Sequence, residues 1–242
     1  MELSKRLQAV ADLVTAGYMT ADIGTDHAYI PIYLVEENIV PSAIAMDVNA
    51  GPLQRAEAHV REKRLEDKIS LRLSDGFSAL KAGEADAAIL AGMGGGLVMK
   101  ILKDNWDVTM SLKECVLQPQ SEIAKVRAFL LEEGFLFIAE DMVLEDGKFY
   151  PMMKVQPPKN RMSREEMSGK RTQWSDTEIT YGKLLLEHKN PVLKQFLEKE
   201  IRIRTEIRKN LEGQDSEHAA QRIKELEWEL LQAQKGMEYY AV

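Results

Sequence analysis

Over the first 155 residues the spacing of apolar positions switches back and forth between the helical period and short buried runs. "LSKRLQAVADLV" places Leu3, Leu7, Val10 and Val14 on one helical face. "YMTADIG" follows as a short apolar run closed by glycine, which predicts a buried strand. The same reading predicts strands at "SAIAMD", "KISLRLSD", "DAAILAG", "ECVLQPQ", "FLFIAEDMVLE" and "KFYPMMKVQ". Helical patterns separate the first five strands, and only an "EDG" turn separates the last two. Strand-helix alternation of this kind specifies an α/β domain on a mostly parallel sheet of seven strands with right-handed crossovers. The terminal hairpin is expected to add an antiparallel edge strand.

The pattern changes at "QPPKN", where two prolines in series end regular structure. This predicts a first domain of residues 1–156 and an all-α domain of residues 160–242. In the second, Leu193, Phe196, Leu197, Ile201, Ile207 and Leu211 share one helix face. Ala219, Ile223, Leu226, Leu230 and Ala233 recur at alternating spacings of four and three on another. The short "EGQDS" between them predicts an antiparallel, coiled-coil-like hairpin, suited either to stability and self-association or to substrate binding.

Composition narrows the function classes. Hydrophobic residues make up 45% of the 242 positions, enough for a sizeable core, and no apolar run approaches the roughly 20 residues of a membrane span. "MELSKRLQAV" lacks a secretory signal core, so a cytoplasmic protein without membrane contact is expected. One cysteine, Cys115 in the fifth strand, and four histidines argue against a disulfide framework or a dedicated metal site. Cys115 itself reads as an inert core residue. The net charge of −7 conceals an asymmetry: residues 1–155 carry 16 Lys/Arg against 24 Asp/Glu, the remainder 16 against 15. Local patches, not that total, govern affinity for a polyanion.

The candidate chemistry sits at four strand ends, where an open parallel sheet binds its ligands. The first ends "ADIGTDHA", with Gly24 permitting a sharp turn. The second ends at Asp47, suited to accept hydrogen bonds from both hydroxyls of a ribose. The third ends "LSDGF", offering Asp75 to an adenine amine and Phe77 to its face, and the fourth ends "LAGMGGG". Asp26 stands where a pyrophosphate would need bare backbone, which disfavours NAD, FAD and ATP. S-adenosylmethionine carries a sulfonium and an ammonium and no phosphate, so a carboxylate there is favourable, with Asp22 beneath to support the turn or reach the same amine. Each element has a plainer reading: Asp26 as an N-cap, Gly94–Gly96 as a loop, Met93 as core packing. Their joint order is the stronger signal.

"ADIGTDHAYIP", "AIAMDVNAGPL", "SDGF" and "LAGMGGG" together resemble the bacterial tRNA (adenine-N1)-methyltransferases that modify adenine 22. The resemblance implies a Rossmann-like methyltransferase domain followed by a helical, coiled-coil-like C-terminal domain, with S-adenosylmethionine as cofactor and tRNA as partner. It implies cofactor contacts from Asp22, Gly24, Thr25, Asp26 and His27 in the first turn and from Asp47, Val48 and Asn49 in the second. It adds Asp75, Gly76 and Phe77 in the third and Gly92, Met93 and Gly94 in the fourth. Against methyltransferases in general the chain departs where Asp26 and Ala28 replace glycines.

The N1 ring nitrogen of neutral adenine has a free lone pair, so positioning should dominate the chemistry. Asp26 and His27 are the candidate catalytic residues, acting through position and charge. For His27 a turn residue bonded to backbone or cofactor competes with a role in proton transfer. Enzymes acting on the exocyclic amine commonly carry Asp/Asn-Pro-Pro-aromatic after the fourth strand, and here that position reads "AGMG". Candidate tRNA contacts are Lys5, Arg6, Tyr29, Met93, Arg161, Arg164, Arg202 and Arg204, the last four lying in "RMSREEMSGKR" and "KEIRIRTEIRK". The alternatives are a methyltransferase of another RNA or of a small molecule, and a non-enzymatic RNA-binding protein, the last disfavoured by the intact acids Asp22, Asp47 and Asp75. The oligomeric state, monomer or weak dimer, is left open by the sequence.

Overall fold

The computed structural model describes residues 2–158, 174–212 and 216–241. The chain divides into two compact units, Met1–Arg171 and Thr172–Val242. The first unit runs α1 (Lys5–Asp12), β1 (Thr20–Ile23), α2 (Tyr29–Glu36), β2 (Ala43–Asp47), α3 (Ala50–Glu62) and β3 (Ile69–Leu73). It continues with β4 (Ala87–Met93), α4 (Gly95–Asp104), α5 (Trp106–Ser111), β5 (Glu114–Pro119), α6 (Ile123–Glu132), β6 (Leu136–Glu145) and β7 (Lys148–Gln156).

The seven strands form one sheet in the order β3-β2-β1-β4-β5-β7-β6. β1, β2 and β5 are buried along their whole length, as expected of strands covered on both faces. One core layer gathers Phe77, Leu102, Leu117, Val126 and Leu130, and the other Val10, Ile32, Leu34, Val60 and Ile89. The chain leaves β1 toward β2 on one side and reaches β4 on the other, so the order reverses there and opens a crevice at the carboxyl ends of β1 and β4.

Two topological expectations change. No helix joins β3 to β4 among the described residues; turns do, with Gly76 at φ +56° and Gly83 at φ +78°. Left-handed glycines this close together leave no room for a helical segment. The antiparallel strand of the terminal hairpin is not the edge: β7 pairs antiparallel with β5, and β6 lies outside it. Met152, Met153 and Val155 of β7 are wholly buried, whereas Leu136 and Ile138 of β6 are exposed, so β7 is the inner strand although β6 carries the longer apolar run. A wholly buried ion pair, Arg127 Nε to Glu140 Oε1 at 2.7 Å, pins α6 to β6.

The second unit contains α7 (Asp176–Tyr181), α8 (Lys183–Glu187), α9 (Pro191–Leu211) and α10 (Glu217–Glu238). Ser175 and Glu178 form a capping box that starts α7. Asn190 accepts from the N–H groups of Val192 and Leu193, and Pro191 opens α9. α9 and α10 pack antiparallel: Leu197 lies against Gly236, and Arg204 meets Glu229 nearer the other end. Leu193, Leu197, Ala219, Leu226, Leu230 and Ala233 are buried. Ile207, expected on the buried face of α9, is instead 38% exposed. The seam at that level is occupied by charge: Arg204 pairs with Glu200 and Glu229, and Arg222 with Glu225 and Glu229.

Candidate functional site

The turn after β1 is fixed by its own backbone. The N–H groups of Gly24 and Thr25 both donate to the carbonyl of Met46, at 2.7 and 2.9 Å, which folds the chain back over the end of β2. Gly24 has φ +77°, and a Cβ there would stand 2.7 Å from Met93 Cε. The position favours glycine for its backbone conformation, and a Cβ there would push aside the end of the Met93 side chain.

Three carboxylates converge on this turn, and their surroundings set them apart. Asp22 is buried and among the described residues pairs with no cation. Burial pushes its carboxyl up to about 6; an approach of the Thr25 side chain offsets part of that, and the nearby Asp47 charge adds to it. Asp47 is also buried, and its Oδ1 accepts the Asn49 N–H at 2.7 Å, which orients the carboxylate at the end of β2. Asp26 is the exposed one, its side chain 64% accessible, bound to Arg55 Nη2 at 2.5 Å and 3.3 Å from His27 Nε2. It does not cap α2, whose N-cap position is Ala28 in the left-handed conformation without a side-chain bond. Of the three, only Asp26 has a cation partner among the described residues; Asp22 and Asp47 have none.

His27, Tyr29 and His59 form a cluster of near-parallel rings, with centroids 4.9 Å apart for His27–Tyr29 and 5.3 Å for His27–His59. His59 Nδ1 lies 3.2 Å from the His27 carbonyl. Neither Arg55 nor His59 drew attention in the sequence. Both lie on α3, and their i, i+4 spacing, which sets them on one face, was the available signal.

Of the remaining predicted residues, Val48 and Asn49 follow Asp47 in the chain and are exposed, as is Asp75 just after β3. Phe77 is a correction: its ring is wholly buried in the core and offers no face to a ligand. Gly76, at φ +56° and packed against Ile101, turns the chain inward at that point. Gly92 sits at φ +80° where the β4–β5 register shifts between Ala91 and Met93, and Gly94 is the N-cap of α4. Arg6 lies beside this lip: a Cβ on Gly92 would be 3.6 Å from its Nη1. Lys5 is exposed, its backbone N–H donating to Glu145. In the second unit Arg202 is exposed, whereas Arg204 is held by Glu200 and Glu229 and is not a free cation. Arg161 and Arg164 lie outside the described residues.

A buried carboxylate at the end of β1, a second oriented at the end of β2, and a left-handed glycine turn between them fit S-adenosylmethionine, whose ammonium and ribose need such partners. Among the described residues no group of three His, Cys, Asp or Glu is arranged to hold a metal ion, and no helix is long and apolar enough to cross a membrane. Cys115 is wholly buried and its thiol is pushed up by burial, which keeps it protonated.

Residues 3–153 match a family model described as a methyltransferase domain. The tRNA (adenine(22)-N(1))-methyltransferase of Bacillus subtilis (strain 168) is 33% identical over 227 residues, 93% of each chain. Among solved structures, the Streptococcus pneumoniae protein Sp1610 in complex with S-adenosyl-L-methionine is similar at a TM-score of 0.81 and 30% identity, over 98% of this chain and 100% of that one. TrmK of M. capricolum, in complex with the cofactor product S-adenosyl-homocysteine, is similar at 0.81 and 27% identity, over 99% of both.

Proposed function

Since the chain belongs to the family of tRNA (adenine(22)-N1)-methyltransferases, we propose that it transfers a methyl group from S-adenosylmethionine to N1 of adenine 22 in tRNA. The observation that carries this reading is the pairing of two buried carboxylates, Asp22 and Asp47, across the Gly24 turn. Asp47 takes the ribose hydroxyls, Asp22 the ammonium, and the Gly92–Gly94 lip borders the reacting atoms. When bound, S-adenosylmethionine supplies an electrophilic methyl group.

This chain's residues then have two tasks. They hold the adenine ring so that N1 faces the methyl, and they offset the positive charge that the methylated base acquires. Asp26 lies nearest the turn for the second task, with His27 and Arg55 fixing its direction. The C-terminal region, residues 160–242, supplies RNA contacts, with Arg202 an exposed cation of α9 suited to a phosphate. This reading assigns the protein to the cytoplasm.

Incubation with unmodified tRNA and labelled cofactor, followed by nucleoside mass spectrometry, should yield 1-methyladenosine, and a transcript carrying guanine at position 22 should remain unlabelled. Label on the exocyclic amine, or on free metabolites alone, would overturn the proposal. In the same assay conditions Asp47→Ala should weaken cofactor binding by about 1.5–3 kcal/mol, the range for hydrogen bonds to a charged group. Calorimetry on the folded variant checks this, and unchanged affinity would remove Asp47 from the site.

A further inference from the structure

The carboxylates of the candidate site belong to β1 and β2, with Asp75 following β3, so in the observed strand order the β4–β5 side of the crevice remains for the acceptor. A cation stands there on a buried polar mount. Gln118 is wholly buried near the end of β5. Its Oε1 accepts from Arg6 Nη1 at 2.9 Å, and its Nε2 donates to the adjacent Pro119 carbonyl at 3.3 Å. The Arg6 guanidinium also lies over the Tyr150 ring, 5.6 Å from the centroid. It stands beside Gly92, where the absence of a side chain leaves the lip open.

The choice of an amide is the informative feature. Arg55, Arg61, Arg72 and Arg127 of the same unit each pair with a carboxylate, Asp26, Glu57, Glu84 and Glu140 respectively. Arg6 has no carboxylate partner among the described residues; a neutral amide and an aromatic face fix its direction and leave its charge uncompensated. Burying a glutamine side chain to hold one cation is costly unless its hydrogen bonds are made, and here they are made to the arginine and to its own neighbour's carbonyl.

We propose that Gln118 is a positioning residue that aims Arg6 at the phosphodiester flanking the target adenosine, on the β4–β5 side of the crevice. The inference rests on the proposed function, which supplies an RNA substrate, and it adds a residue to that reading. A base drawn out of a folded tRNA brings its flanking phosphates with it, and a directed guanidinium is the side chain suited to receive one. A second anion, the carboxylate of S-adenosylmethionine, competes for the same guanidinium, and a third reading makes the bond a mere tether for α1. The substitutions below separate the three.

Gln118→Glu keeps the length and the acceptor for Arg6, gives up the donor to the Pro119 carbonyl, and neutralises Arg6 with an ion pair. Arg6→Gln removes the charge, and Arg6→Lys keeps it without the planar fork. For Arg6→Gln and Gln118→Glu we expect the KM for tRNA to rise about tenfold, as for one charged contact. The dependence of tRNA binding on salt should weaken by about one in log-log slope. Cofactor affinity by calorimetry should stay within about twofold of the unaltered protein. Arg6→Lys should recover part of the loss, and circular dichroism should show Arg6→Gln and Gln118→Glu folded at the assay temperature. Full tRNA affinity with an unchanged salt slope in folded Arg6→Gln, or full activity of Gln118→Glu, would leave only the tether and overturn the proposal. A loss confined to cofactor affinity would assign Arg6 to the cofactor carboxylate and overturn it equally. Absence of methyl transfer to tRNA by the unaltered protein would instead sink the proposed function, and this inference with it.

Discussion

Asp22→Asn should make the free protein more stable and its hold on S-adenosylmethionine weaker. The carboxyl is buried at the crevice, and burial lifts it from its ordinary 3.8 to about 6. That difference corresponds to about 3 kcal/mol of cost for keeping the ionised form in the fold. Between pH 3.8 and about 6 the folded chain holds a proton at Asp22 that the unfolded chain has released. Stability therefore falls as pH rises through that window and levels off above it, since the folded state there binds more protons than the unfolded state. The asparagine variant lacks this slope. Urea unfolding from pH 4.5 to 8 should show the variant gaining on the unaltered protein up to about pH 6, by about 1–3 kcal/mol, and holding that lead above. Cofactor binding should run the other way. An ammonium against Asp22 favours its ionised form, so affinity in the unaltered protein should rise with pH through about 6. In the variant it should be flat and about 10- to 100-fold weaker, as for a lost charged hydrogen bond. Parallel stability profiles, or equal affinities, would show that the buried charge at Asp22 is not what the cofactor site is built around.

The acids of this site were legible in the chain because a strand end announces itself locally. "ADIG" and "AMD" are apolar runs broken by a carboxylate and a turn, and each lies where the sheet exposes its carboxyl edge. What those acids meet was not legible. Asp26 finds Arg55 across 29 positions, and Arg6 finds Gln118 across 112, so only the closed sheet brings them together. The strand count follows from apolar runs and turns, but the insertion of β7 between β5 and β6 does not, since an alternating pattern fixes which face is buried and is silent on which edge is occupied. Phe77 shows the same limit from the other side. Its place after a strand-end Asp-Gly reads as a ligand contact, yet a left-handed Gly76 sends the ring into the core, and a one-dimensional pattern does not contain that choice. Arg204 read as a cation for RNA until packing supplied Glu229 from the neighbouring helix, 25 positions away.

Asp26→Asn should slow methyl transfer without abolishing it. The ring nitrogen of neutral adenine already carries its lone pair, so no proton has to leave before attack, and a carboxylate at the turn is needed for charge and not for abstraction. Asp26 is well exposed and paired with Arg55, so part of its charge is already offset and the rest is screened by water. Those surroundings limit its worth at the ground state and still let it favour the positive charge that develops on the base. The expected result is a single-turnover rate lower by about tenfold, a modest loss of cofactor affinity, and measurable methylation at saturating cofactor. Loss of an obligatory general base would cost about 10²–10⁴-fold and would leave a steep acid limb in the pH-rate profile of the unaltered enzyme. Arg55→Gln, which frees Asp26 of its partner, should leave the rate equal or higher if charge is what counts, because the carboxylate then faces the reacting base uncompensated. A rate that collapses in Asp26→Asn while both substrates still bind would require a proton acceptor at this turn, and the electrostatic account of Asp26 would then be wrong.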